Sequence, residues 1–169
     1  DLVQKIEQQK KEPFPESQIL DYITQICLAL QHIHEKKIIH RNINSNNVFL
    51  MKDGSIKLGG FEIPKGMNFW KIKVINSKKD TSSNYLAPEI FKNTPYDSKV
   101  DIWALGVLLY ELMTFKMPFN TENLPLFCIK INRGIYSPPP GIYSSEIKEL
   151  LKKCLTVSPE KRPTIDEIL

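Results

Sequence analysis

The sequence predicts a mainly α fold, a helical bundle carrying one small β-hairpin, and three observations predict it. Apolar residues recur at helical spacing from Glu16 to about Lys36. Residues Ile102 to Phe115 are apolar nearly all round, the pattern of a helix in the middle of a domain. Only Val48 to Met51 and Ile56 to Leu58, separated by an Asp53-Gly54 turn, read as strands. With 169 residues, 41% hydrophobic and 25% charged, the chain is long enough to bury one good core.

Taken in order, the first dozen residues predict a short polar helix broken at Lys10-Lys11-Glu12-Pro13, because a proline restricts the residue before it. The second helix carries its apolar stripe on Ile19, Ile23, Ile26, Cys27, Leu30 and Ile33. After the hairpin, residues 62–84 are polar and lysine-rich without a sustained period, too long for a simple connection, and are expected to form a mobile functional loop. Ser98-Lys99-Val100-Asp101 resembles a capping-box start and leads into the central helix. Two further helices, about Glu122 to Arg133 and Ser145 to Leu155, flank Pro138-Pro139-Pro140-Gly141. Thr164 with Glu167 caps a last helix cut off at Leu169.

Several function classes drop out. The longest apolar stretch, Ala104 to Met113, falls far short of the roughly 20 residues that a bilayer span needs. No signal segment opens the chain, and its start at Asp1 rather than Met predicts a fragment. Cys27, Cys128 and Cys154 are odd in number and far apart, which fits reduced thiols in a cytoplasmic or nuclear protein. The net charge of +4 comes without a run of like charges or interleaved aromatics, so the lysines are assigned to solvated faces and nucleic acid is not expected. His32 and His34 have no third ligand near them in sequence and are read as helix-surface histidines.

Between the second helix and the hairpin stands His40-Arg41-Asn42-Ile43-Asn44-Ser45-Asn46-Asn47, and Leu58-Gly59-Gly60-Phe61-Glu62 closes the hairpin. Tyr85-Leu86-Ala87-Pro88-Glu89, Asp101-Ile102-Trp103-Ala104-Leu105-Gly106 and Pro159-Glu160-Lys161-Arg162-Pro163-Thr164 follow. In this order and spacing they resemble the catalytic loop, metal-binding turn, activation-segment end, central helix and closing arginine of a eukaryotic protein kinase. The wording of Gln25 to Leu30, Val48-Phe49-Leu50 and Asp101 to Gly106 is most similar to the NIMA-related serine/threonine kinases. The resemblance implies that residues 1–169 are a partial kinase domain: the C-terminal lobe, from just after the hinge to the start of the last helix, with the N-terminal lobe absent.

It also implies the site. Asn42 stands where the family has the aspartate that accepts or orients the substrate hydroxyl proton, and Asn44 where it has a lysine facing the transferred phosphate. Asn47 matches the magnesium-ligating asparagine, but Gly60 replaces the metal-binding aspartate, so ATP and magnesium are the implied cofactors with the magnesium site impaired. Glu62 is not expected to take over, because it lies two residues along the turn. Phe49, over Leu108 and Leu112, matches the floor beneath adenine, with an ordinary core role favoured. His40 and Phe61 match an apolar stack, Asp101 a hydrogen-bond anchor for the catalytic loop, and Glu89 with Arg162 a buried ion pair. Arg41 would meet a phosphate on Thr81, Ser82 or Ser83.

The leading expectation is a pseudokinase whose transfer of phosphate from ATP to protein Ser/Thr is lost or severely impaired, acting through protein partners or nucleotide. Two other readings stay open: an active kinase using atypical residues such as Glu62, and a non-catalytic interaction module or truncated product.

Overall fold

Helix α1 (Leu2–Gln9) opens on a capping box: the Asp1 carboxylate accepts the Gln4 N–H at 2.9 Å and the Gln4 side chain accepts from the Asp1 amine at 3.2 Å. Leu2 and Ile6, one turn apart, are its buried residues. The computed structural model describes residues 1–10, 12–61, 81–92, 94–119 and 123–169.

Helix α2 (Glu16–Glu35) buries Ile19, Tyr22, Ile23, Ile26, Cys27 and Leu30, the stripe that the spacing predicts with Tyr22 added and Ile33 only partly buried. Its first residue reaches across the fold: the Glu16 carboxylate accepts the Ser144 N–H at 2.7 Å and the Ser144 hydroxyl at 2.5 Å. Strands β1 (Val48–Leu50) and β2 (Ile56–Leu58) pair antiparallel, with Val48 opposite Leu58 and Leu50 opposite Ile56. Gly54 turns the hairpin at φ +83°, which favours glycine. Gln25 of α2 holds that turn, its Oε1 accepting the Ile56 N–H at 2.8 Å and its Nε2 donating to the Gly54 carbonyl at 3.3 Å.

Helices α3 (Pro88–Phe91), α4 (Lys99–Thr114), α5 (Leu124–Arg133), α6 (Ser145–Cys154) and α7 (Ile165–Ile168) follow, and Ser45–Asn47, Thr81–Tyr85 and Pro159–Lys161 form short 3-10 turns. Every residue of α4 from Val100 to Met113 is buried, so the other elements are arranged around it. Trp103 of α4 stacks on Phe119 with ring centroids 5.4 Å apart. Gly106 lets α6 approach α4, since a Cβ there would come within 2.7 Å of the Cys154 Cβ. Asn123 caps α5 and Ser144 caps α6 through their side chains, and the expected Thr164–Glu167 capping box closes α7.

Two local expectations are corrected. Ser98 makes no side-chain cap; the Asp97 carboxylate takes the Lys99 N–H at 2.9 Å instead, because Asp101 is turned away to serve a buried loop. Residues 81–84, expected within the loop of residues 62–84, instead form a 3-10 turn together with Tyr85. The remainder of that expected loop, residues 62–80 with Glu62, lies outside the described residues. Among the described residues no helix is long and apolar enough to cross a membrane.

Candidate active site

The first turn of α4 supplies the anchor. Asp101 is fully buried, its Oδ2 accepting the His40 N–H and its Oδ1 the Arg41 N–H, each at 2.8 Å. A buried and a partly buried amide are thereby satisfied, and Arg41 is held at φ +66°, a conformation that costs an ordinary residue roughly 1–2 kcal/mol. His34 Nε2 also lies 2.8 Å from Oδ2, and its side chain is only 10% exposed. The surface reading of His34 is therefore corrected: the anchor carboxylate needs further partners, and the last turn of α2 is where a side chain reaches it. His32 is exposed, as expected.

His40 is buried with its ring 4.4 Å from that of Phe61. Its Nδ1 accepts the Asn42 N–H at 3.3 Å, which places the ring proton on Nε2. Burial pushes the His40 pKa down, against the opposing pull of the Asp101 charge and the Gly59 backbone.

Three asparagines form a linked relay whose orientation follows from one backbone donor. The Asn46 N–H donates to Asn44 Oδ1 at 3.0 Å, which fixes the amide of Asn44. Asn44 Nδ2 then donates to Asn42 Oδ1 at 2.8 Å and to the Asn42 carbonyl at 3.0 Å. That leaves Asn42 Nδ2 to donate to the Gly60 carbonyl at 3.2 Å. Asn47 Nδ2 donates to the Asn42 carbonyl at 2.8 Å. The residues at positions 42, 44, 47 and 60 are thus brought together, and none of them carries a charge.

A divalent cation does not fit this donor set. Magnesium is held through carboxylate oxygens in near-octahedral geometry, whereas the residues here are neutral amides and a glycine. Gly60 has φ +73°, and a Cβ built on it would overlap the Asn47 amide. Among the described residues no group of three or more His, Cys, Asp or Glu is arranged to hold a metal ion.

Phe49 is 43% exposed, so the core role favoured for it is corrected: residues alternate across a strand, and Val48 takes the buried side. Leu108 and Leu112 are core residues. The Phe49 ring lies against Gly59, where a Cβ would come within 2.7 Å of it. Arg41 lines a small cleft with Asn42, Tyr85 and Leu86, and its Nε is buried without a hydrogen-bond partner among the described residues. Thr81, Ser82 and Ser83 lie in the 3-10 turn preceding Tyr85.

Glu89 and Arg162 form a bidentate pair, with Nη1 to Oε1 at 2.7 Å and Nη2 to Oε2 at 2.8 Å. Arg162 is 2% exposed and uses its remaining donors on the carbonyls of Thr156, Lys99 and Val157. Its guanidinium stands 4.9 Å above the Trp103 ring.

Sequence reasoning missed a second buried cluster. The Tyr85 hydroxyl donates to Glu111 in a short bond, and Ser45 Oγ lies 3.0 Å from that hydroxyl and 3.3 Å from Glu111 Oε1. Burial pushes Glu111 up, and pushes Tyr85 well above the ordinary phenol range with the Glu111 charge adding to it. The signal was present: Glu111 is the carboxylate inside an otherwise apolar run, and a buried carboxylate requires a partner.

Comparison with known proteins gives the family of the chain. The family profile described as "Protein kinase domain" matches residues 1–169. The chain is 43% identical over 169 residues to serine/threonine-protein kinase Nek1 of Mus musculus, covering all of this chain and 14% of that protein. It is 38% identical over 175 residues to serine/threonine-protein kinase Nek3 of Mus musculus, covering all of this chain and 33% of that protein. It is 41% identical over 155 residues to putative serine/threonine-protein kinase A of Trypanosoma brucei brucei, covering 92% of this chain and 36% of that protein. The chain thus spans between 14% and 36% of the length of these relatives.

Proposed function

The chain belongs to the protein kinase domain family and is a homologue of the NEK serine/threonine kinases, and from that premise we propose that it is the C-terminal lobe of a kinase domain whose phosphotransfer is lost or severely impaired. The observation that carries this reading is the neutral relay Asn42–Asn44 closing on Gly60. Family membership implies ATP, magnesium and protein substrates in general, and the reaction needs charge at three positions that are uncharged here.

Asn42 still offers an acceptor and a donor near where a substrate hydroxyl would lie, so it can orient that hydroxyl. It cannot hold the proton, and loss of a general base lowers a rate by roughly 10² to 10⁴. Asn44 spends its amide inside the relay rather than on a phosphate. What such a domain retains is binding. The exposed faces of Phe49 and Phe61 give a floor and a wall for adenine or an apolar partner. Arg41, whose buried Nε has no hydrogen-bond partner among the described residues, gives a contact for a phosphate on Thr81, Ser82 or Ser83. Residues 1–169 are read as running from just after the hinge to the start of the last helix.

A phosphotransfer assay on the full-length protein tests the reading. Turnover is expected at least about 10²-fold below that of an ordinary kinase. Magnesium-dependent turnover at the ordinary level, abolished by Asn47→Ala, would sink it.

A further inference from the structure

Losing the metal-binding carboxylate is one change; filling the place it occupied is another. Asn47 Nδ2 is tied to the Asn42 carbonyl at 2.8 Å, and the same amide stands where a Cβ on residue 60 would have to go. From the other side the Gly60 carbonyl accepts the Asn42 side-chain amide at 3.2 Å. Residue 60 is therefore held between two neutral amides, with its backbone at φ +73°. A chain stripped only of charge would keep an open position for a carboxylate and an ion. Here the position is taken.

We infer that Asn42, Asn47 and Gly60 form an amide clasp that excludes a divalent cation from the family's magnesium position, so that a carboxylate restored at residue 60 does not by itself rebuild a metal site. Any side chain at 60 must first displace the Asn47 amide, and displacing it gives up the bond to the Asn42 carbonyl. The inference rests on the reading of this site as a degenerate kinase centre and adds that the degeneracy is steric as well as electrostatic. Because Asn47 is both the obstacle and the one remaining family ligand, removing the obstacle also removes the ligand.

A double-mutant cycle in the full-length protein isolates the overlap. Gly60→Ala introduces the Cβ without charge, and the backbone strain of an L-residue at positive φ enters equally with Asn47 present or replaced, so it cancels in the cycle. Thermal unfolding is expected to show Gly60→Ala lowering Tm by several degrees more in the Asn47 chain than in the Asn47→Ala background. Equal drops in the two backgrounds overturn the clasp. If Gly60→Ala fails to fold while Gly60→Ala with Asn47→Ala folds, the coupling is shown in its extreme form.

Mn²⁺ as the probe, followed by the electron paramagnetic resonance signal of the free ion, gives the second arm. Gly60→Asp is expected to bind Mn²⁺ no more tightly than the unaltered protein. A tenfold or greater gain in Gly60→Asp, or tight Mn²⁺ binding by the unaltered protein, overturns the inference. A gain in Gly60→Asp leaves the phosphotransfer reading standing, whereas turnover by the unaltered protein sinks that reading and leaves the Tm cycle to be judged separately.

Discussion

A ring nitrogen that accepts a backbone hydrogen bond cannot take a proton without giving up that bond, and His40 is in this position. Its Nδ1 accepts the Asn42 N–H, and burial holds its pKa below the ordinary histidine value of 6.5. The unfolded chain binds a proton at this residue near pH 6.5 and the folded chain only at lower pH. Below about 6.5 the unfolded state therefore carries more protons, so stability falls as pH falls and levels off once the folded pKa is passed. We expect Tm to decline between about pH 7.5 and 5, with His40→Phe less stable at neutral pH but flatter over that range. Melting curves of the two proteins against pH check this, and an unchanged slope in His40→Phe would assign the dependence to other groups. An amide at residue 42 is likewise not a passive stand-in for an aspartate. Its Nδ2 donates to the Gly60 carbonyl, a bond that a carboxylate cannot make and would oppose.

At the scale of elements, Arg162 ties α3 and α4 to the segment before α7. All five of its N–H donors are used: two on Glu89 and the rest on the carbonyls of Thr156, Lys99 and Val157. A lysine has the charge but not the fork, so Arg162→Lys cannot reproduce the bidentate pair or reach three carbonyls at once. Breaking such a buried pair costs about 3–5 kcal/mol, and we expect Arg162→Lys to lose about 3 kcal/mol, read by urea unfolding. A loss within about 0.5 kcal/mol, the size of an ordinary surface substitution, would contradict this account. Elements of this kind were largely legible in the sequence, because a helix announces itself by its period. The buried face of α2 and the all-round burial of α4 follow directly from the spacing of their apolar residues. Less legible was where polar side chains go once an element is placed. Ser98 and Asp101 have the spacing of a capping box, yet Asp101 serves the loop amides of His40 and Arg41, which are far away in sequence. Ser45, Tyr85 and Glu111 come from two separate 3-10 turns and α4, and no local pattern reports that they meet.

For the molecule as a whole, the motifs gave the order of the site's parts, while the clasp between Asn47 and Gly60 depends on a backbone conformation at residue 60 that a string of residue types does not specify. Phe49 shows the same limit, since a strand three residues long presents alternate faces and the sequence does not say which is covered. The global consequence of burying one helix on every side is that the core opens as a unit, and the cysteines report on it. Cys27 on α2 and Cys154 on α6 are buried, and burial pushes each thiol up to about 12. At pH 8 each folded thiol is therefore only on the order of 10⁻⁴ thiolate and shielded from reagent as well. Cys128 on α5 is partly exposed. With a disulfide reagent at pH 8 we expect Cys128 to react first, and Cys27 and Cys154 to follow together at a common slow rate, because Cys154 lies against Gly106 of α4 and cannot be reached without separating α6 from it. Mild denaturant should speed the two slow thiols in parallel while leaving Cys128 nearly unchanged. Mass spectrometry of labelled peptides over time decides the matter: Cys27 reacting as fast as Cys128 while the helical circular dichroism stays native would show that α2 detaches independently, and the single cooperative core would have to be abandoned.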